Sequence, residues 1–191
     1  MTEDAIDRIV EQWHRRRPDL DVSPTHVLQR ITRLYLLQST SFAEVFGRFG
    51  LSFGEYEVIA ALVRSEPPHR LKPTELAGAL VLSSGAVTNR IDRVEAMGLV
   101  ERLPDPGDRR GTLVALTDRG RSVVDQAVRE HLTNEERLLG GLTASDRTRL
   151  TGLLRKLLVS EPFAALDRSR AGERNGHADE AAPRRRRSLR R

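Results

Sequence analysis

Residues Ser83–Leu116 read SSGAVTNRIDRVEAMGLVERLPDPGDRRGTLVAL, and this stretch decides the fold. Ser83 is placed to cap a helix, its hydroxyl accepting one of the unpaired first-turn N–H groups. Val87, Ile91 and Val94 follow at helical spacing and define a buried face. Ser84, Gly85, Thr88, Asn89, Asp92 and Arg93 fall on the other faces, all short or polar. Gly98 ends the helix, because glycine takes the left-handed conformation without steric cost. After it, LVERL and TLVAL are two short β-prone runs joined by PDPGDRRG. Proline and glycine crowd that joint, so a projecting loop is expected there rather than a tight two-residue turn.

A polar-faced helix followed by a hairpin tipped with Arg109 and Arg110 is the layout of a winged helix-turn-helix. The longer run GAVTNRIDRVEAMGLVERLPDPGDRRGTLVALTDRG also resembles the signature of the MarR family of winged-helix transcription regulators. Likeness to that family extends, with gaps, from about Val27 to Leu158. The resemblance implies a homodimer that binds a palindrome in double-stranded DNA and responds to a small ligand.

A chain of 191 residues suits one domain with a core plus a tail. Zero cysteines exclude disulfides, thiolate metal sites and thiol-based sensing. His14, His26, His69, His131 and His177 are scattered without ligand spacing, so neither a metal nor a cofactor is expected. No apolar run reaches membrane-spanning length and the N-terminus has no secretory pattern, so a cytoplasmic, nucleoid-associated protein is the expectation. The net charge of +5 resides in the tail, where nine arginines face only Glu173, Asp179 and Glu180 across 168–191. The high pI is therefore no argument that the folded part binds DNA; the local placement of arginines on the wing is.

In chain order, 1–22 forms an N-terminal extension with an amphipathic helix carrying Ile6, Ile9, Val10 and Trp13 on one stripe, stopped by Pro18. The main domain spans 23–163. A long helix over 25–49 carries Val27, Ile31, Leu34, Leu37, Ser41 and Val45, broadened by Phe42, Phe46 and Phe49, enough to serve a core and a partner helix. The DNA-binding region covers 55–116, with Ser65–Arg70 read as loop and Pro73 at the first position of a short helix. Thr117 caps the next helix, and Thr143 with Asp146 forms a capping box for the one after it. The two fill 118–160 and complete the dimerisation region. Residues 164–191, nearly free of large apolar side chains, read as a disordered basic tail and a possible phosphate-binding arm. The fold class is thus mainly α with a small β-hairpin wing, a winged helix-turn-helix flanked by N- and C-terminal dimerisation helices.

Ser84, Thr88, Asn89 and Arg93 are the candidates for major-groove contact, and Arg109 and Arg110 for the minor groove, which attracts arginine where it is narrow. Asp108 is expected to buttress one of the wing arginines. His131 falls mid-helix, where a dimer-interface histidine is the plainer reading and a pH-sensing pair the sharper one. No Ser-His-Asp arrangement, paired acid motif or phosphate loop speaks for an enzyme. The serious rival to a regulator is a non-specific chromosome-associated protein using its basic tail.

The N-terminal VEQWHRRRPDLDVSP further resembles the urate-responsive branch of the MarR family, in which a Trp, an Asp and two Arg hold the ligand. Matched by motif, these positions fall on Trp13, Glu57, Arg90 and Arg102, with Glu57 standing where the branch has Asp. The resemblance implies a small anionic ligand, a urate-like purine or a small polycarboxylate. Glu57 pairing with Arg102 in the free protein would give the anion something to compete with, while Trp13 offers a flat apolar face.

Overall fold

Helix α5 (Ser84–Ala96) forms where the sequence places it, with Ser83 Oγ accepting from the Ala86 N–H at 3.3 Å and Gly98 at φ +70° just beyond its end. The computed structural model describes residues 3–169. In chain order it runs α1 (Ala5–Arg16), α2 (Thr25–Gly47), α3 (Phe53–Arg64), β1 (Arg70–Leu71), α4 (Pro73–Leu80), α5, β2 (Val100–Asp105), β3 (Asp108–Leu116), α6 (Asp118–Leu138) and α7 (Ala144–Leu158). Residues 161–169 add a last helical stretch, past the point at 164 where disorder was expected. The polybasic residues beyond 169 lie outside the described residues.

Val87, Ile91 and Val94 are fully buried, and they meet Val58, Ile59 and Leu62 of α3 and Leu76 of α4 in the main core. Each such side chain contributes roughly 1.5–3 kcal/mol by leaving water. The centre of that core is aromatic. Phe46 stacks on Tyr56 at 4.1 Å between ring centroids, and His131 stands edge-on to Phe42 at 4.6 Å. His131 is therefore a buried core residue of α6 inside one protomer, with Nε2 3.3 Å from Glu135, and not a residue displayed on a partner-facing surface.

The sheet is antiparallel with strand order β1-β3-β2. Two features depart from the sequence reading. Arg70, assigned to a loop, pairs with Ala115, and Leu71 with Val114, making β1 the third strand. The wing is also a tight hairpin after all: Asp105 pairs with Asp108 around Pro106 and Gly107. Proline is tolerated because β2 is an edge strand and its register slips between Pro104 and Asp105, where the ladder is already broken.

Helix α6 is tied to the wing at its first turn. Thr117 Oγ1 donates to the Gly98 carbonyl at 2.8 Å and accepts from the Gly120 N–H at 3.0 Å. Gly120 lies so close to the chain at Leu99 that a Cβ there would stand 1.9 Å from the Leu99 carbonyl oxygen.

Much apolar surface on the N-terminal half of α2 and on α7 is left exposed. Val27, Leu28, Leu34, Tyr35, Leu36 and Leu37 are exposed, as are Leu153 and Leu158, and α7 buries no residue. Helix α1 docks on α2 through a small cluster of Ile6, Val10 and Val22. Arg30 pins it there, donating to Asp4 at 2.9 Å and Asp7 at 2.6 Å. Among the described residues, no helix is long and apolar enough to cross a membrane.

Candidate nucleic-acid interface

Helix α5 presents to solvent the side that its buried stripe leaves over. Ser84, Thr88, Asn89 and Arg93 are all exposed there, and Thr88 Oγ1 donates to the Ser84 carbonyl at 2.9 Å. A Cβ added at Gly85 would meet nothing within 4 Å, so this end of the helix is open. Helix α4 and α5 are joined by a short turn in which Val81 takes φ +54° and ψ +46°. Lys72 at the start of α4 has no side-chain cap to offer, and the Glu75 carboxylate instead accepts its N–H at 2.7 Å.

At the wing tip Arg109 and Arg110 are exposed. Asp108 does not brace an arginine side chain as expected; its Oδ1 accepts from the backbone N–H of Arg110 at 3.0 Å, which shapes the strand start instead. The stronger anchor is Asp105. Its Oδ2 sits 2.9 Å from the Lys72 ammonium, its Oδ1 accepts from the Gly107 N–H at 2.8 Å, and Gly111 leaves room for it. The hairpin is thereby fastened to the first residue of the helix-turn-helix. Lys72, and after it the Gly107 amide, hold the Asp105 carboxyl below the usual aspartate range, and Asp105 holds Lys72 above the usual lysine range.

A group with a lowered folded-state pKa stabilises above its unfolded value and loses that contribution as pH falls through the folded one. Asp105→Asn is therefore expected to melt lower than wild type at pH 7. Thermal scans should show the two curves converging as pH drops below the ordinary aspartate value of about 3.9. A gap that persists at acid pH would assign the effect to packing.

Among the described residues, no hydrogen bond or ion pair links the four ligand candidates to one another. Arg90 lies on α5 with its guanidinium over Gly54 at the start of α3, Nη1 donating to the Gly54 carbonyl at 3.5 Å. Arg102 on β2 does not pair with Glu57. Its partners are Asp92, at 2.6 Å, and Glu95, both on α5, because residues seven and ten positions back along the chain face it across the helix–strand corner. Glu57 is half-buried on α3. Trp13 is 48 % exposed on α1 and so is not plain core. No group of His, Asp or Glu among the described residues is arranged to hold a metal ion.

Three residues that shape this face escaped the sequence reading: Glu55, Glu95 and Asp105. Only Glu55 carried a local signal. Ser52-Phe53-Gly54-Glu55 is a capping box, with Glu55 Oε2 accepting from the Ser52 N–H at 2.7 Å. Glu95 is fixed by Arg102 across the helix–strand corner, and Asp105 by Lys72, thirty-three residues back.

Comparison with known proteins fits this geometry. Residues 49–111 match the MarR family model. The chain is 36 % identical to the transcriptional regulator PecS of Dickeya dadantii over 149 residues, covering 78 % of this chain and 90 % of that protein. Among solved structures it is similar to AbsC of Streptomyces coelicolor, a MarR family transcriptional regulator. That likeness has a TM-score of 0.67 at 26 % identity and covers 78 % of this chain and 97 % of that one. It is also similar to a variant of Escherichia coli MarR complexed with operator DNA, with a TM-score of 0.61 at 25 % identity, covering 82 % of this chain and 99 % of that one. The open face of α5, the arginine-tipped hairpin fastened beside it and these relatives agree: the chain belongs to the MarR family of DNA-binding transcriptional regulators.

Proposed function

We propose that the protein is a cytoplasmic repressor that binds a palindromic operator as a homodimer and is released by a small anionic ligand. The observation that carries the dimer is the uncovered apolar surface of α2 and α7, which is too extensive for a monomer in water. A second copy placed about a dyad would bring two α5 helices to successive major grooves, with half-site centres about 10 bp apart. Ser84, Thr88, Asn89 and Arg93 then face base edges and phosphates, and Arg109 and Arg110 the flanking minor groove.

The ligand reading draws on Trp13, Glu57, Arg90 and Arg102. What supports it is the position of the two arginines. Arg90 is on α5 itself, and Arg102 joins α5 to β2 through Asp92 and Glu95. An anion that recruits Arg102 must compete with those two carboxylates, and so acts on the link between recognition helix and wing. To release DNA it must bind the DNA-free conformation better than the bound one.

The test is a footprint on DNA selected from a random duplex pool, followed by titration of that complex with urate, xanthine and aconitate. A single symmetric protected site, released by one of these anions in wild type and less readily in Arg90→Ala and Trp13→Phe, is the expected result. Coating of the DNA without register would favour a non-specific chromosomal protein. Release unchanged in both variants would remove these residues from the ligand site.

A further inference from the structure

Two arginines of α5 reach back to the first turn of α3. Arg90 covers Gly54 so closely that a Cβ on that glycine would stand 2.8 Å from the guanidinium carbon. Arg93, nearly one turn on, brings Nη1 to 3.7 Å from Glu55 Oε1. The two members of this second pair differ in freedom. The Glu55 side chain is only 11 % exposed, and its other oxygen is already fixed by the Ser52 N–H at 2.7 Å. The Arg93 side chain is 70 % exposed, and it shares an outward ridge with Asn89 and Gly85 at spacings of four residues. A long arginine on an open helix face ordinarily samples many rotamers, and any contact it makes must first order it. Here a rigid carboxylate stands in ion-pair range of one edge of a planar five-donor fork, biasing its orientation while leaving its donors for an outside acceptor.

A carboxylate beside a DNA-facing surface has a plain electrostatic effect: it repels phosphate and weakens binding to every duplex. Tethering has the opposite effect, and only where an acceptor lies in the right place. We propose that Glu55 is a positioning residue, holding Arg93 for one register-specific contact with the operator. It thereby sharpens sequence discrimination while its charge lowers affinity for duplex DNA in general. This rests on α5 being the helix that reads DNA. In the correct register the guanidinium meets its acceptor already oriented. Out of register the acceptor is displaced, and only the repulsion remains.

The two effects have opposite signs, which makes the assignment testable with Glu55→Gln in the full chain. The amide keeps an oxygen to accept the Ser52 N–H and removes only the charge. Binding is measured by fluorescence anisotropy on the duplex that wild type enriches from a random pool and on a scrambled duplex of equal length. Expected are a loss of about tenfold on the enriched duplex and tighter binding, about twofold, on the scrambled one. In an Arg93→Gln background the loss on the enriched duplex should disappear. Tighter binding of Glu55→Gln to both duplexes would overturn the proposal, as would an equal loss in the absence of Arg93.

Glu55→Asp keeps the charge and the cap but withdraws the carboxylate by one methylene. It should weaken the enriched duplex alone, and it decides the matter should Glu55→Gln fail to fold; wild-type affinity in this variant would overturn the assignment. A wild type that enriches no sequence overturns the operator reading and the assignment together. A sharp operator with these variant results reversed overturns the assignment alone.

Discussion

Gly120→Ala is expected to destabilise the protein by about 3 kcal/mol or more, and Gly120→Val to prevent folding. The added methyl would sit 1.9 Å from the Leu99 carbonyl oxygen and 2.8 Å from its carbon. These are backbone atoms at the entry to β2, so no side-chain rotation relieves the clash. Either α6 or the hairpin must move. Movement breaks the Thr117 bonds to Gly98 and Leu99 and the docking of Val124 and Ala127 in the core. Urea unfolding followed by circular dichroism measures the effect. Gly152→Ala on α7 is the matched control, because its Cβ meets nothing within 4 Å, and the gain in helix propensity should stabilise by about 1 kcal/mol. A Gly120→Ala midpoint equal to wild type would mean that the α6–wing joint yields easily.

The second large effect falls on DNA binding. Arg109→Ala and Arg110→Ala each remove an exposed cation from the hairpin tip without disturbing a buried group. Each is expected to weaken binding by about 1–3 kcal/mol. The slope of log K against log salt should fall by about one per arginine if each meets a phosphate, hence about two in the double variant. Undiminished affinity in the double variant would take the wing off the DNA. A loss of affinity with an unchanged slope would instead place the arginines on base edges in the groove.

What was legible in the sequence was whatever depends on near neighbours. Ser83, Val87, Ile91, Val94 and Gly98 state one helix completely, because cap, stripe and stop lie within sixteen residues. The same holds for Pro73, Thr117, and Thr143 with Asp146. What escaped depends on partners distant in the chain. Arg70 and Leu71 become a strand only because Ala115 and Val114 come alongside, and two residues carry no period of their own. The family motif pointed to Arg102 as a ligand residue, and charge suggested Glu57 as its partner. Only the corner between α5 and β2 shows that Asp92 and Glu95 already hold it. His131 has helical spacing compatible with either face of α6, and its aromatic neighbours come from α2 and α3. Trp13 is the reverse case: a stripe of four apolar residues was visible on α1, yet α2 covers only Ile6 and Val10 of it.

The bare leucines of α7 carry a consequence for the cell that makes this regulator. A helix with no fully buried residue within its own protomer draws much of its stability from association, and association follows mass action. In the dimer proposed above, dilution alone loosens α7 and the exposed half of α2, with no mutation and no ligand. The number of copies per cell thus becomes a structural variable. A regulator kept scarce loses persistence as well as occupancy, and one that limits its own synthesis would also limit its own lifetime.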